Sequence, residues 1–108
     1  MRIFLLTKTQ NSERTRLCLR LVTSSDSEDA VVYLAGDGVY NLLGQEEAGE
    51  SRQAGQALAS ALPHRILACR EDLEARGVSA EGKATVPVDF YGCLVDEMMR
   101  EGSRVYSF

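Results

Sequence analysis

The chain has 108 residues, 44% of them apolar and 26% charged, the size and mix of one globular domain able to bury a core without cross-links. Its formal net charge is −4, which argues against the clustered Lys and Arg surface that displaces counterions from nucleic acid. Three cysteines and one histidine exclude a disulfide framework and the usual zinc sets, since Cys18, Cys69 and Cys93 lie far apart and no C-x-x-C pair occurs. No run approaches the roughly 18 apolar residues of a membrane span. The opening "MRIFLL" is too short for a secretory apolar region. A cytoplasmic protein with no membrane partner is the expectation.

Along the chain, "RIFLLT" (Arg2–Thr7) is a continuous apolar run, the mark of a strand covered on both faces. From Ser12 to about Thr23 the spacing predicts an amphipathic helix, with Leu17, Cys18, Leu21 and Val22 on its apolar face and Asn11 or Ser12 as cap. "AVVYLAG" (Ala30–Gly36) is a second strand, rich in β-formers. "DGVYNLLG" (Asp37–Gly44) reads as a short helical turn capped by Asp37. An acidic link over Gln45–Ser51 leads into an Ala-rich helix, Arg52–Leu62.

"RILAC" (Arg65–Cys69) is a third strand, followed by a short helix, Arg70–Arg76, that Gly77 closes as a left-handed residue. "ATVPV" (Ala84–Val88) is a weaker fourth strand, because Pro87 cannot donate to a ladder. A last helix runs from about Asp89, its cap, to Glu101, with Phe90, Leu94 and Met98 at i+4 spacing and Gly102 as stop. "RVYSF" (Arg104–Phe108) is a fifth strand. Strands alternating with helices imply parallel pairing and right-handed crossovers, hence a three-layer α/β/α domain with a five-stranded, mainly parallel sheet.

In such sheets chemistry gathers beyond the carboxyl ends of the strands. Two features fall there, "AGDGVYN" (Ala35–Asn41) and Cys69. The first lacks a G-x-G-x-x-G pattern and a P-loop lysine, so it reads as a turn. Cys69 ends a strand and opens a helix, where free N–H groups and Arg70 favour a thiolate while Glu71 and Asp72 oppose it. Against this stands the plain reading of Cys69 as a small buried hydrophobe, which also covers Cys18 and Cys93 on their helical stripes. His64, alone in a connection, reads as structural. A receiver-domain reading fails, because Thr7-Lys8-Thr9 and Cys69 stand where an acidic cluster and a phosphoacceptor Asp are needed.

Three segments together resemble the DsrE/DsrF/DsrH family of small sulfur-relay proteins. They are "VVYLAGDGVYNLL", "CREDLEARGV" with six residues between Cys69 and Arg76-Gly77, and "VDFYGCLVDEMM" before the terminal aromatic strand, a DsrH-like ending. The resemblance implies a single parallel α/β/α domain over 1–108, in homo- or hetero-oligomers such as trimers or hexamers. It implies Cys69 as a persulfide acceptor, with sulfur-donor and sulfur-acceptor proteins as partners, no cofactor and no direct nucleic-acid contact. The pathway implied is tRNA thiolation or sulfur oxidation. The alternative is a non-catalytic structural subunit of a DsrEFH-like complex. The two differ in what they ask of Cys69: a relay needs it partly exposed near a groove, whereas a subunit leaves it packed.

Overall fold

The continuous apolar runs become the strands. In the computed structural model, which describes residues 1–26, 28–43, 64–80 and 83–108, the strands are β1 (Arg2–Leu6), β2 (Ala30–Leu34), β3 (Arg65–Ala68) and β4 (Arg104–Ser107). They form one sheet in the order β3-β2-β1-β4, and every neighbouring pair is parallel. Every residue of β2 is buried, as a central strand with two covered faces requires.

Alternate strand residues feed two apolar clusters. Phe4, Leu6, Val32, Leu34, Ile66 and Ala68 join one of them. Ile3, Val31, Tyr33 and Leu67 join the other, with Phe90 and Leu94 packed on them.

The fifth expected strand, Ala84–Val88, reduces to a single bridge between Thr85 and Leu67. Thr85 donates to the Ile66 carbonyl at 2.8 Å and accepts from the Ala68 N–H at 2.9 Å. Two residues later Pro87 has no N–H to offer, and the ladder stops. The sheet therefore has four strands among the described residues, not five. The acidic link Gln45–Ser51 and the helix expected over Arg52–Leu62 lie outside the described residues.

Four helices are described: α1 (Glu13–Thr23), a 3₁₀ helix (Gly36–Leu42), α2 (Arg70–Arg76) and α3 (Phe90–Met98). Ser12 caps α1, its side chain accepting from the Arg14 N–H. The buried face of α1 is Thr15, Cys18, Leu19 and Val22, a clean i, i+3, i+4, i+7 set. The expectation had this face turned: Leu17 and Leu21 are 49% and 39% exposed, and Leu19 takes their place.

In α3 a similar turn puts Glu97 rather than Met98 on the buried side. Asp89 caps α3 as its sequence position suggests, accepting from the Gly92 N–H. Gly77 ends α2 with φ 65°, the left-handed geometry that a side chain disfavours.

The segment after β2 differs from the expectation. Ala35, not Asp37, holds the N-cap position of the 3₁₀ helix, without a side-chain bond. The glycines have distinct reasons: Gly36 has a positive φ, and a β-carbon on Gly38 would overlap the Leu6 carbonyl. That close approach seats the 3₁₀ helix against the end of β1. None of the described helices is long and apolar enough to cross a membrane.

A candidate thiol site at the carboxyl edge of the sheet

β3 delivers Cys69 to the carboxyl edge of the sheet. Its N–H still belongs to the ladder, donating to the Leu34 carbonyl at 3.1 Å, and its own carbonyl accepts the first helical bond, from Leu73, at 3.0 Å. Cys69 is thus the N-cap residue of α2, in extended conformation, but its side chain makes no capping hydrogen bond. The thiol instead donates to Glu71 Oε2 at 3.3 Å.

The residue is 2% exposed. Burial pushes the thiol pKa up, and the side chains of Glu71 and Asp72 push it the same way. The backbone amide of Asp72 pulls it down, more weakly than burial raises it. At rest, then, Cys69 is a protonated thiol: burial, with the carboxylates of the first turn on its side, outweighs the helix-end amide. The exposure that a relay role asks of Cys69 is not met in the isolated chain.

Tyr91, in the first turn of α3, lies near Cys69, Asp72 and Glu71; burial first, and then these neighbours, raise its pKa. Yet Tyr91 is itself 58% exposed, its ring set edge-on to Phe90 with centroids 5.1 Å apart. Cys69 shares its apolar cluster with Phe90, Leu67 and Leu94.

The two features that the sequence put at this edge do meet. The Gly36 N–H donates to Asp72 Oδ2 at 2.8 Å. Arg76 links both segments, reaching Asp37 at 3.0 Å and Asp72 at 3.3 Å. Arg76 therefore ties the Gly-Asp-Gly turn to α2 rather than facing the sulfur, and Asp37 serves as its ion-pair partner. Asp72 is held in this way by Gly36 and Arg76, while Glu71 accepts the hydrogen bond of the thiol.

The other sequence candidates lie elsewhere. Cys18 is fully buried under α1, and burial raises its thiol from 9.0 to about 12. Cys93 is partly exposed on α3, and its carbonyl accepts from the Tyr33 hydroxyl at 3.3 Å. His64 is buried, with Nε2 2.8 Å from the Ser25 carbonyl, so that nitrogen carries the proton.

Two groups escaped the sequence reading. Glu97 is 2% exposed and is neutralised by Arg65 at 2.9 Å and Arg100 at 3.1 Å. Its burial carries no sequence signal, because Arg65 lies 32 residues away. Tyr91 carries no sequence signal of its own, because it lies 22 residues beyond Cys69 and is brought near it only by the packing of α3.

The family model described as DsrH-like protein matches residues 9–103, a span that holds Cys69, Glu71, Arg76 and Tyr91. The chain belongs to the DsrH-like family. Its fold is similar to that of the ychN protein from E. coli, with a TM-score of 0.70 at 20% identity, covering 100% of this chain and 99% of that one. It is also similar to a conserved protein of unknown function from Bacteroides thetaiotaomicron, with a TM-score of 0.68 at 19% identity, covering 99% of this chain and 94% of that one. No curated protein matches the sequence. At these identities the structures speak for the fold alone. The α/β class and the parallel sheet agree with them.

Proposed function

We propose that this DsrH-like chain is a sulfur-relay protein that accepts and passes persulfide sulfur on Cys69. The observation that carries the reading is a thiol at the carboxyl edge of the sheet with a carboxylate, Glu71, 3.3 Å from its sulfur, in a chain whose family match spans both. Glu71 takes the thiol proton, and the Cys69 thiolate attacks the outer sulfur of a donor persulfide. The new S–S bond forms as the donor's S–S bond breaks. The donor leaves as a thiolate that picks up a proton, and Cys69 holds the sulfur as Cys69–S–S⁻. No net oxidation occurs, and no cofactor enters.

The raised pKa and the cover set a condition on this chemistry: Tyr91 has to swing aside for the donor to reach the sulfur. Its exposed position on α3 permits that at the loss of its edge-on contact with Phe90. A partner is the natural agent. Val88, Tyr91, Val95, Met98 and Met99 are exposed apolar residues on or beside α3, more than a solvated helix of nine residues has reason to show. In the assembly implied by the family this stripe is the contact, with the sheet as the middle of a three-layer domain. The setting is cytoplasmic, in tRNA thiolation or sulfur oxidation.

Incubation with a persulfide donor followed by intact-mass analysis tests the reading. Wild type is expected to gain sulfur and Cys69→Ser is not. Equal gain by both, or by neither, removes Cys69 from the relay and leaves the chain as a non-catalytic interaction subunit, the role that a packed Cys69 fits on its own.

A further inference from the structure

Among the described residues, the opposite end of the sheet is an unpaired edge. β4 pairs with β1 on one side only. Arg104 N–H donates to the Met1 carbonyl at 3.0 Å and Phe108 N–H to the Leu5 carbonyl at 2.8 Å. In a parallel ladder alternate residues turn to one neighbour, so the N–H and C=O groups of Val105 and Ser107 face outward. An edge of this kind is a template for another strand.

The surface beside the edge is built for one. Leu21, which α1 leaves half-exposed, and Tyr106 of β4 line a groove of about 200 Å³ that Phe4 floors. The rings of Phe4 and Tyr106 stack at 5.4 Å, so the floor is fixed. Arginines stand at both ends. Arg2 and Arg104 are register neighbours at the start of the strands. Arg14 reaches over the far end to the Ser107 carbonyl at 3.5 Å. Among the described residues none of these three pairs with a carboxylate, in a chain whose net charge is −4.

We infer that β4 receives an extended acidic segment of a partner protein as an added strand. The segment's backbone pairs with Val105 and Ser107. Its alternate side chains face the groove in the order acidic, apolar, acidic, so that the middle one meets Leu21 and Tyr106 while the outer two meet the arginines. Charge complementarity selects this occupant over a second copy of the chain, whose own edge would bring arginines against arginines.

The test is fluorescence anisotropy with the full chain and a labelled synthetic peptide of core sequence Glu-Thr-Val-Thr-Glu, beside the same peptide with Lys for Glu. The Glu peptide is expected to bind, to weaken as salt rises, and to outbind the Lys peptide by about tenfold or more. Val105→Pro removes one outward N–H while leaving the bonds to β1, and lowers affinity by about tenfold. Arg14→Glu with Arg104→Glu, both exposed and without ion pairs among the described residues, gives the same loss should the proline variant misfold. Equal affinity for the two peptides, no binding of either, or undiminished binding by the variants overturns the inference. So does a dimer in sedimentation that Val105→Pro dissolves, which assigns the edge to a second copy.

Discussion

Cys18 and Cys69 are both buried, and they are buried in different ways. Cys18 lies beneath the whole of α1, against the strands, with Leu19 and Val22 beside it. Cys69 lies at the carboxyl edge of the sheet, near Tyr91, which is itself mostly in solvent, with Glu71 accepting from its thiol. Exposure figures near zero for both conceal the difference that matters for chemistry. Cys18 is enclosed by the core under α1, whereas Cys69 sits at the edge of the sheet, in the smaller cluster that Phe90 and Leu94 close.

The largest effect expected from this contrast is on stability. Leu19→Ala, next to Cys18, is expected to cost about 2–5 kcal/mol in urea unfolding, since it opens a cavity in a packed core. Tyr91→Ala, over Cys69, is expected to cost less than about 1 kcal/mol. Comparable losses would mean that Tyr91 is a core residue and not a cover.

Alkaline pH separates the sites next. The folded Cys18 thiol titrates near 12, against 9.0 for the free group. As pH rises above 9 the unfolded chain loses this proton first, so stability present below pH 9 falls as pH climbs towards 12. The loss across that window is on the order of 3–4 kcal/mol. Cys18→Ala flattens this slope in pH-dependent unfolding. Cys69→Ala, whose group is raised as well but lies at the rim, flattens it less.

Thiol reactivity gives a smaller and more specific contrast. In a chain with Cys93→Ser, iodoacetamide is expected to modify Cys69 faster than Cys18. Tyr91→Ala speeds Cys69 by about tenfold and leaves Cys18 unchanged, an effect of about 1.4 kcal/mol on access. An equal rise at both would signal general loosening. Smallest of all, Glu71→Gln removes a carboxylate that raises the Cys69 pKa, so the pH midpoint of its alkylation moves down. An upward movement would contradict the assigned contact.

The sequence made the strand centres plain because β1, β2 and β3 are apolar runs with little alternation, and only doubly covered strands need that. Gly77 and the Asp89 cap were legible for local reasons: a left-handed turn and a side chain bonding three residues ahead. The weak fourth strand shrank to the Thr85 bridge at the very proline that had made it weak. What the sequence hid was long-range. Which leucines of α1 face inward depends on where the sheet lies beneath the helix, so Leu17 and Leu21 were misassigned. The burial of Glu97 needs Arg65, and the cover on Cys69 needs Tyr91, 22 residues further on. At the candidate site, the position of Cys69 on the sheet edge was readable from the strand and helix boundaries. Its protonated state was not, because the burial that chiefly raises its pKa, and the contacts of Glu71 and Asp72 that add to it, follow from packing at the sheet edge.

The claim that Cys69 is the sulfur-carrying residue is tested most directly by peptide mapping of the native chain after brief exposure to a persulfide donor. The added sulfur is expected on the Cys69 peptide alone, with Cys18 in the same sample as the buried control. Sulfur on the partly exposed Cys93 instead, or on no cysteine of the folded chain, would contradict it.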